Sequence, residues 1–196
     1  MKNVITIARQ RGSGGRAVGA LIAERYGWSL VSKESFAESV KARGVDEVKI
    51  AGVFDRRPSL QDRMTLQQLY SKYIGVITSV IREFAEKGDV VILGRGAHLI
   101  LAGDPGVSSA LLVADLETRI ERVAKECGLK GKKGLEEARK KVIDSDYARA
   151  AYNTYLYDAE WNDPLNYDVV LNTTDTTVQR SAEAVMSVFE LLRDSG

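Results

Sequence analysis

Residues 3 to 19 read NVITIARQRGSGGRAVG, and this stretch decides the fold. Val4, Ile5, Thr6 and Ile7 form a run without alternating charge, as expected of a central parallel strand buried on both faces. A turn from Arg9 to Gly15 follows at once, and a helix starts near Arg16, with Val18, Leu21 and Ile22 facing the sheet. Glycines at 12, 14 and 15 permit positive φ and let backbone N–H groups turn inward. The N-terminus of the helix aims positive partial charge at the same point. Strand, turn and helix converge on one anion site.

The spacing departs from G-x-x-x-x-G-K-[ST], in which the lysine reaches the terminal phosphates and the hydroxyl reaches magnesium. Aligned on Gly14, Arg9 stands at the first glycine, Gly15 at the lysine and Arg16 at the hydroxyl. A glycine-rich turn without a ligand is the plain alternative. Arg16 beside three glycines favours an anion.

Working outward, 196 residues with 44% hydrophobic and 28% charged composition predict one soluble domain. Lys and Arg number 28 against 27 Asp and Glu, so nothing in the overall charge points to nucleic acid or a membrane surface. A single cysteine, Cys127, allows neither an internal disulfide nor a thiolate cluster, and a single histidine, His98, argues against a histidine-based zinc site. No metal site built from protein side chains is expected, and magnesium would arrive with a nucleotide. The opening apolar run is too short for a signal peptide and no stretch reaches membrane length, so a cytoplasmic location is expected. Oligomeric state is not legible.

Further along, Trp28–Val31 is a second strand, followed by a helix through Phe36 and Val40 to Gly44. Residues 45 to 61 lose periodicity around Asp55, Arg56, Arg57 and Pro58, either as a substrate cover or as a plain connection. Leu66, Leu69, Tyr70, Tyr73, Ile77, Val80, Ile81 and Phe84 recur at helical spacing until Gly88. Val90–Leu93 is a buried strand with Gly94-Arg95-Gly96 at its carboxyl end, where open α/β sheets bind ligands. His98 reads as a helix-face residue. Ala110–Val113 is a fourth strand, and Asp115 caps a helix whose packed side holds Leu116, Ile120, Val123 and Cys127, with Arg119 and Arg122 opposite. Gly128 to Gly134 reads as a flexible basic loop. The next helix, from about Leu135, sets Asp146 and Arg149 on one face, either to grip a polar substrate or to pair with each other. Tyr167–Leu171 is a fifth strand, and Thr176 with Gln179 forms a capping box for the last helix. Five buried strands separated by helices imply a doubly wound parallel sheet.

Taken together, ITIARQRGSGGRAVG, VVILGRGAHLIL, the Arg119/Arg122 helix, DYARAAY at 146–152 and YDVVLNTT at 167–174 resemble the cytidylate-kinase-like family of P-loop nucleoside monophosphate kinases, over nearly the whole chain and in the same order. The resemblance implies a three-layer α/β/α P-loop NTPase fold with a five-stranded parallel sheet, a flap over roughly 32–62 and a lid over roughly 128–145. It implies transfer of the γ-phosphoryl of ATP, with magnesium, to a nucleoside monophosphate, with CMP or dCMP as acceptor. Gly12, Ser13, Gly14, Gly15, Arg16 and Ala17 then correspond to the phosphate loop, and Arg119, Asn172 and Thr173 to the donor side. Arg9, Arg95, Asp146 and Arg149 fall on the acceptor side, and Arg16, Arg122 and Arg149 neutralise the moving group. The loop lysine and hydroxyl are absent, Gly96 replaces an aspartate, and Val142 replaces a lid arginine. A nucleotide-binding regulator without catalysis, and a kinase of another small acceptor, use the same residues.

Overall fold

The computed structural model describes residues 2–45 and 60–194. The break at Asp55 to Pro58 and the middle of the expected flap lie outside the described residues. In chain order the elements are β1 (Val4–Arg9), α1 (Gly15–Tyr26), β2 (Ser29–Val31), α2 (Lys33–Lys41), α3 (Leu60–Lys87), β3 (Val90–Leu93), α4 (Ala97–Ile100), β4 (Val107–Val113), α5 (Leu116–Glu126), α6 (Gly131–Tyr157), a 3₁₀ turn (Pro164–Asn166), β5 (Val169–Asn172) and α7 (Val178–Asp194). The five strands form one parallel sheet in the order β2-β3-β1-β4-β5.

Side chains of a strand alternate between faces, and both faces of the central strands are covered. On one side Ile5, Ile7, Val91 and Leu93 pack with Val18 and Ile22 of α1 and with Val185 and Phe189 of α7. On the other, Val4, Val90 and Ile92 pack with Phe36, Ile77, Ile81 and the end of α6 at Tyr152 and Leu156. This is a three-layer α/β/α arrangement. The outermost strands are not fully buried: Ser29 of β2 and Val170 of β5 are exposed, because each strand has one neighbour only.

Four local expectations change. β4 begins three residues early, since Ser108 and Ser109 sit in the buried strand; the Ser109 N–H and hydroxyl both donate to Asp168 Oδ2, at 2.7 and 2.8 Å. Such pairing removes the cost of burying a polar side chain. The basic stretch after Gly128 is not a flexible loop: α6 starts at Gly131, and Gly134 packs so closely on Leu129 that a Cβ would lie 2.9 Å from its carbonyl carbon. Cys127 ends α5 and is exposed rather than packed. At the last helix it is the Thr177 hydroxyl that accepts from a first-turn N–H, that of Arg180, while Thr176 meets Ser181.

A separate small core joins α5 and α6 through Ile120, Val123, Ala124, Ala138 and Val142. Val142 is fully buried there, which accounts for an aliphatic residue at that position.

Ile7, near the end of β1, is fully buried. Ile7→Ala is expected to cost about 2–5 kcal/mol of stability, read from urea unfolding.

Candidate active site at the carboxyl edge of the sheet

The turn after β1 is held from behind. Thr173 Oγ1 donates to the Ser13 carbonyl (2.8 Å), and Arg122 donates to the Gly12 carbonyl (3.5 Å) and to the carbonyls of Thr173 (2.8 Å) and Thr174 (3.1 Å). Arg119 donates to the Arg11 carbonyl (3.4 Å) and through Nε to that of Ala114 (3.1 Å). Within the turn the Ser13 N–H donates to the Gln10 carbonyl (3.2 Å), so the N–H groups left for a ligand are those at the start of α1. Gly14, at φ 81°, caps α1, and the N–H groups of Gly15, Arg16 and Ala17 open the helix without intrahelical acceptors. A Cβ at Gly12 would lie 2.6 Å from the Arg119 carbonyl oxygen, whereas one at Gly14 would meet nothing within 4 Å. The turn is therefore packed behind and open in front, as a phosphate cradle must be.

One carboxylate anchors this arrangement. Asp146 Oδ1 accepts from the Arg11 N–H (2.9 Å) and from Arg149 (3.0 Å), and its Oδ2 pairs with Arg119. The Arg119 side chain is 9% exposed and that of Asp146 20%, so the pair is largely buried. This corrects the expected placement of Arg119 on an outer face with Arg122: Arg119 is buried beneath the turn. Asp146 has both oxygens engaged and holds Arg149 in place.

Beside the turn lies a cleft of about 230 Å³ whose walls include Arg9, Lys33, Arg95, Arg149, Asn153 and Trp161. Among the described residues its walls contain four cationic side chains and no carboxylate. Arg95 has φ 61° between two left-handed glycines, and its guanidinium lies over the Phe36 ring at 5.5 Å. The Tyr157 hydroxyl donates to the Arg95 carbonyl (3.0 Å), and the Tyr157 ring fills the space next to Gly96 that a Cβ there would need. That contact explains the glycine at 96. Burial lowers the pKa of Arg149 even though Asp146 raises it, and Arg11, Arg119 and Arg95 add to the lowering. The cluster is a set of repelling cations, for which an anion is the natural occupant.

Of the remaining expected residues, Arg16 is not in the cleft; its side chain is 73% exposed, 3.8 Å from Glu34. Asn172 is exposed and accepts from the Thr174 N–H (3.0 Å) and hydroxyl (2.7 Å), forming a local turn. Lys33, Asn153 and Trp161 were not expected in the cleft. Lys33 opens α2 at the carboxyl end of β2, and Asn153 lies one helical turn after Arg149, with its Nδ2 donating to the Arg149 carbonyl (2.9 Å). Both positions follow from rules that single out strand ends and i, i+4 pairs.

His98, in the cleft wall, is buried; its Nε2 lies 3.0 Å from the Tyr167 hydroxyl and the two rings stack. Burial holds its pKa down to about 4, so it is neutral at pH 7.

The loop does not fit magnesium as a protein-held ion. Arg16 occupies the hydroxyl position, the buried Ser13 hydroxyl donates to the Gln10 carbonyl (2.9 Å), and the Asp146 oxygens are engaged. Among the described residues no three His, Cys, Asp or Glu side chains stand close enough to hold a metal, and no described helix is long and apolar enough to cross a membrane.

A glycine loop between the central strand and the first helix of a covered five-stranded parallel sheet defines the P-loop kinase class. The chain belongs to the cytidylate kinase-like family, whose model matches residues 4–175, and is by that membership a nucleotide kinase. A cytidylate kinase of Methanopyrus kandleri is 31% identical over 180 residues, covering 87% of this chain and 84% of that one. An uncharacterised protein from Eubacterium ventriosum superposes with a TM-score of 0.73 at 24% identity, over 96% of this chain and 99% of that one. A gluconokinase from Sinorhizobium meliloti gives 0.58 at 14% identity, over 99% and 95%. These two structures share the fold.

Asp146→Asn leaves two guanidinium groups without their balancing charge and is expected to cost about 3 kcal/mol in urea unfolding; a loss below about 1 kcal/mol would show that the carboxylate does not anchor the turn. His98 makes a pH prediction. Its folded pKa lies below the unfolded 6.5, so the unfolded chain binds the extra proton. Stability is fully present above pH 6.5 and falls by roughly 3 kcal/mol as pH drops to about 4. His98→Phe should flatten that part of the pH profile of the unfolding midpoint.

Proposed function

We propose that the chain transfers the γ-phosphoryl group of ATP to a nucleoside monophosphate, with CMP or dCMP as acceptor. One observation carries this reading: a braced glycine turn, open in front, adjoins a cleft walled by the cations Arg9, Lys33, Arg95 and Arg149. Two phosphate-bearing ligands can meet there. The cytidine preference rests on the family and on the relative named above.

The acceptor phosphate would lie against Arg95 and Arg149, with α2 and α6 as the walls corresponding to flap and lid. Its oxygen attacks the γ-phosphorus, the bond to the β–γ bridging oxygen breaks, and two diphosphates leave. Such a reaction needs alignment and charge neutralisation more than covalent chemistry. Arg149 arrives already oriented by Asp146, so little reorganisation accompanies the reaction. Arg119, Arg122 and Thr173 act through the turn by holding its carbonyls outward. No general base is needed, and neutral His98, engaged with Tyr167, is not positioned as one. Magnesium would be carried by the nucleotide phosphates, and no step is assigned to it.

Incubation with ATP against a panel of nucleoside monophosphates, followed by phosphorus NMR, is expected to give ADP and a nucleoside diphosphate, with CMP and dCMP fastest. Arg149→Ala should lower turnover by about 10²–10³-fold while ATP binding persists. ATP binding by calorimetry without diphosphate formation from any monophosphate would favour a nucleotide-binding regulator instead.

A further inference from the structure

Compared with the Walker spacing, positions 9 and 15 have exchanged residue types: arginine stands at the first glycine and glycine at the lysine. The geometry makes these two changes one. A Cβ on Gly15 would lie 2.6 Å from Cβ and 2.9 Å from Cγ of Arg9. The Arg9 stem thus fills the volume through which a side chain at 15 would leave the helix, and Arg9 excludes a lysine there.

The strand register carries the charge forward. β1 outruns β3: Ile7 pairs with Leu93, while Arg9 is aligned with Leu112 of β4. Its side chain folds over Gly94, where Nη1 occupies the place of a missing Cβ. From there the guanidinium reaches the cleft wall shared with Lys33, Arg95 and Arg149. Among the described residues it has no hydrogen bond and no ion pair. The charges that reach it are those of Arg149, Arg95, Arg16 and Arg11, and burial with this repulsion brings its pKa down to about 9. A cation held among cations and left without a partner is built for an anion.

We propose that Arg9 supplies, from the end of β1, the cation that a Walker loop supplies from the first turn of α1, and that it grips the β- and γ-phosphates of the donor triphosphate. The planar guanidinium offers two parallel donors to phosphate oxygens, which a lysine ammonium does not. Arg9 stands where turn and cleft meet, its stem against Gly15 at the start of α1 and its head in the cleft. Arg16 is the weaker candidate, because its side chain points to solvent and toward Glu34.

This inference rests on the nucleotide-kinase reading, and two readouts separate them: the thermal shift induced by ATP, and turnover of ATP with CMP. Arg9→Gln keeps most of the volume and removes the charge. It is expected to leave the ligand-free melting temperature unchanged or higher, to lose the ATP-induced rise, and to lower turnover at least a hundredfold. An arginine that only filled space would give the opposite pattern, a lower melting temperature with the ATP shift kept. Gly15→Lys alone should also lose the shift, because Arg9 blocks it. The double variant Arg9→Gly with Gly15→Lys restores the ordinary order of glycine and lysine and should regain the shift and at least a tenth of turnover. Retention of the ATP shift in Arg9→Gln, or a folded double variant no better than Arg9→Gly, overturns the exchange while the kinase reading stands. A wild-type protein without any ATP shift overturns both.

Discussion

The Asp146 carboxylate is the contact on which the site depends. It binds the backbone N–H of Arg11 in the phosphate turn, the buried Arg119 of α5 and the cleft-lining Arg149 of α6. These three groups come from parts of the chain more than one hundred residues apart at the extremes. A short side chain with four lone-pair sites can satisfy all three, and its negative charge offsets two guanidiniums that would otherwise repel in a poorly hydrated space. The turn, α5 and α6 therefore hold fixed positions before any ligand arrives.

Around that anchor the protein separates two kinds of arginine. Arg119 and Arg122 spend their donors on backbone carbonyls and shape the turn from behind. Arg9, Arg95 and Arg149 stand in front with Lys33, and of these Arg149 is paired with Asp146. Concentrating like charges in a partly dry cleft costs stability, a cost that a bound anion would relieve. Burial, and after it this repulsion, lowers the pKa of Arg9 and of Arg149, the latter against the opposing charge of Asp146. Preorganisation of this sort is what phosphoryl transfer demands of a protein, since most of the barrier is lowered by placing charge correctly.

Much of this was legible from sequence. The strand run Val4–Ile7, the turn glycines and the helix after Arg16 are local signals, and each appears within one or two residues of its expected place. Asp146 and Arg149 share a face because three residues make nearly one helical turn. Misreadings came where a tertiary partner decided the outcome. Arg119 has the composition of a surface residue and becomes buried only because Asp146 and two carbonyls await it. Ser108 and Ser109 break the apolar pattern of β4, yet extend the strand because Asp168 takes up Ser109 from the next segment. The lysine- and glycine-rich stretch after Gly128 joins a helix because Gly134 and Ala138 let α6 pack close to α5 and its end.

By itself, the sequence determined the order of strands and helices, the glycine turn and the set of arginines available to it, because hydrophobic period, glycine placement and helix spacing act over a few residues. Only the tertiary structure decided which arginine faces the cleft. Arg9 and Arg16 are equally cationic and flank the same glycines; strand register folds one over Gly94 into the cleft, while the helix carries the other outward toward Glu34. The direction of a side chain is set by what it packs against, and for Arg9 those neighbours lie at the ends of two strands and a helix that meet only in the folded chain.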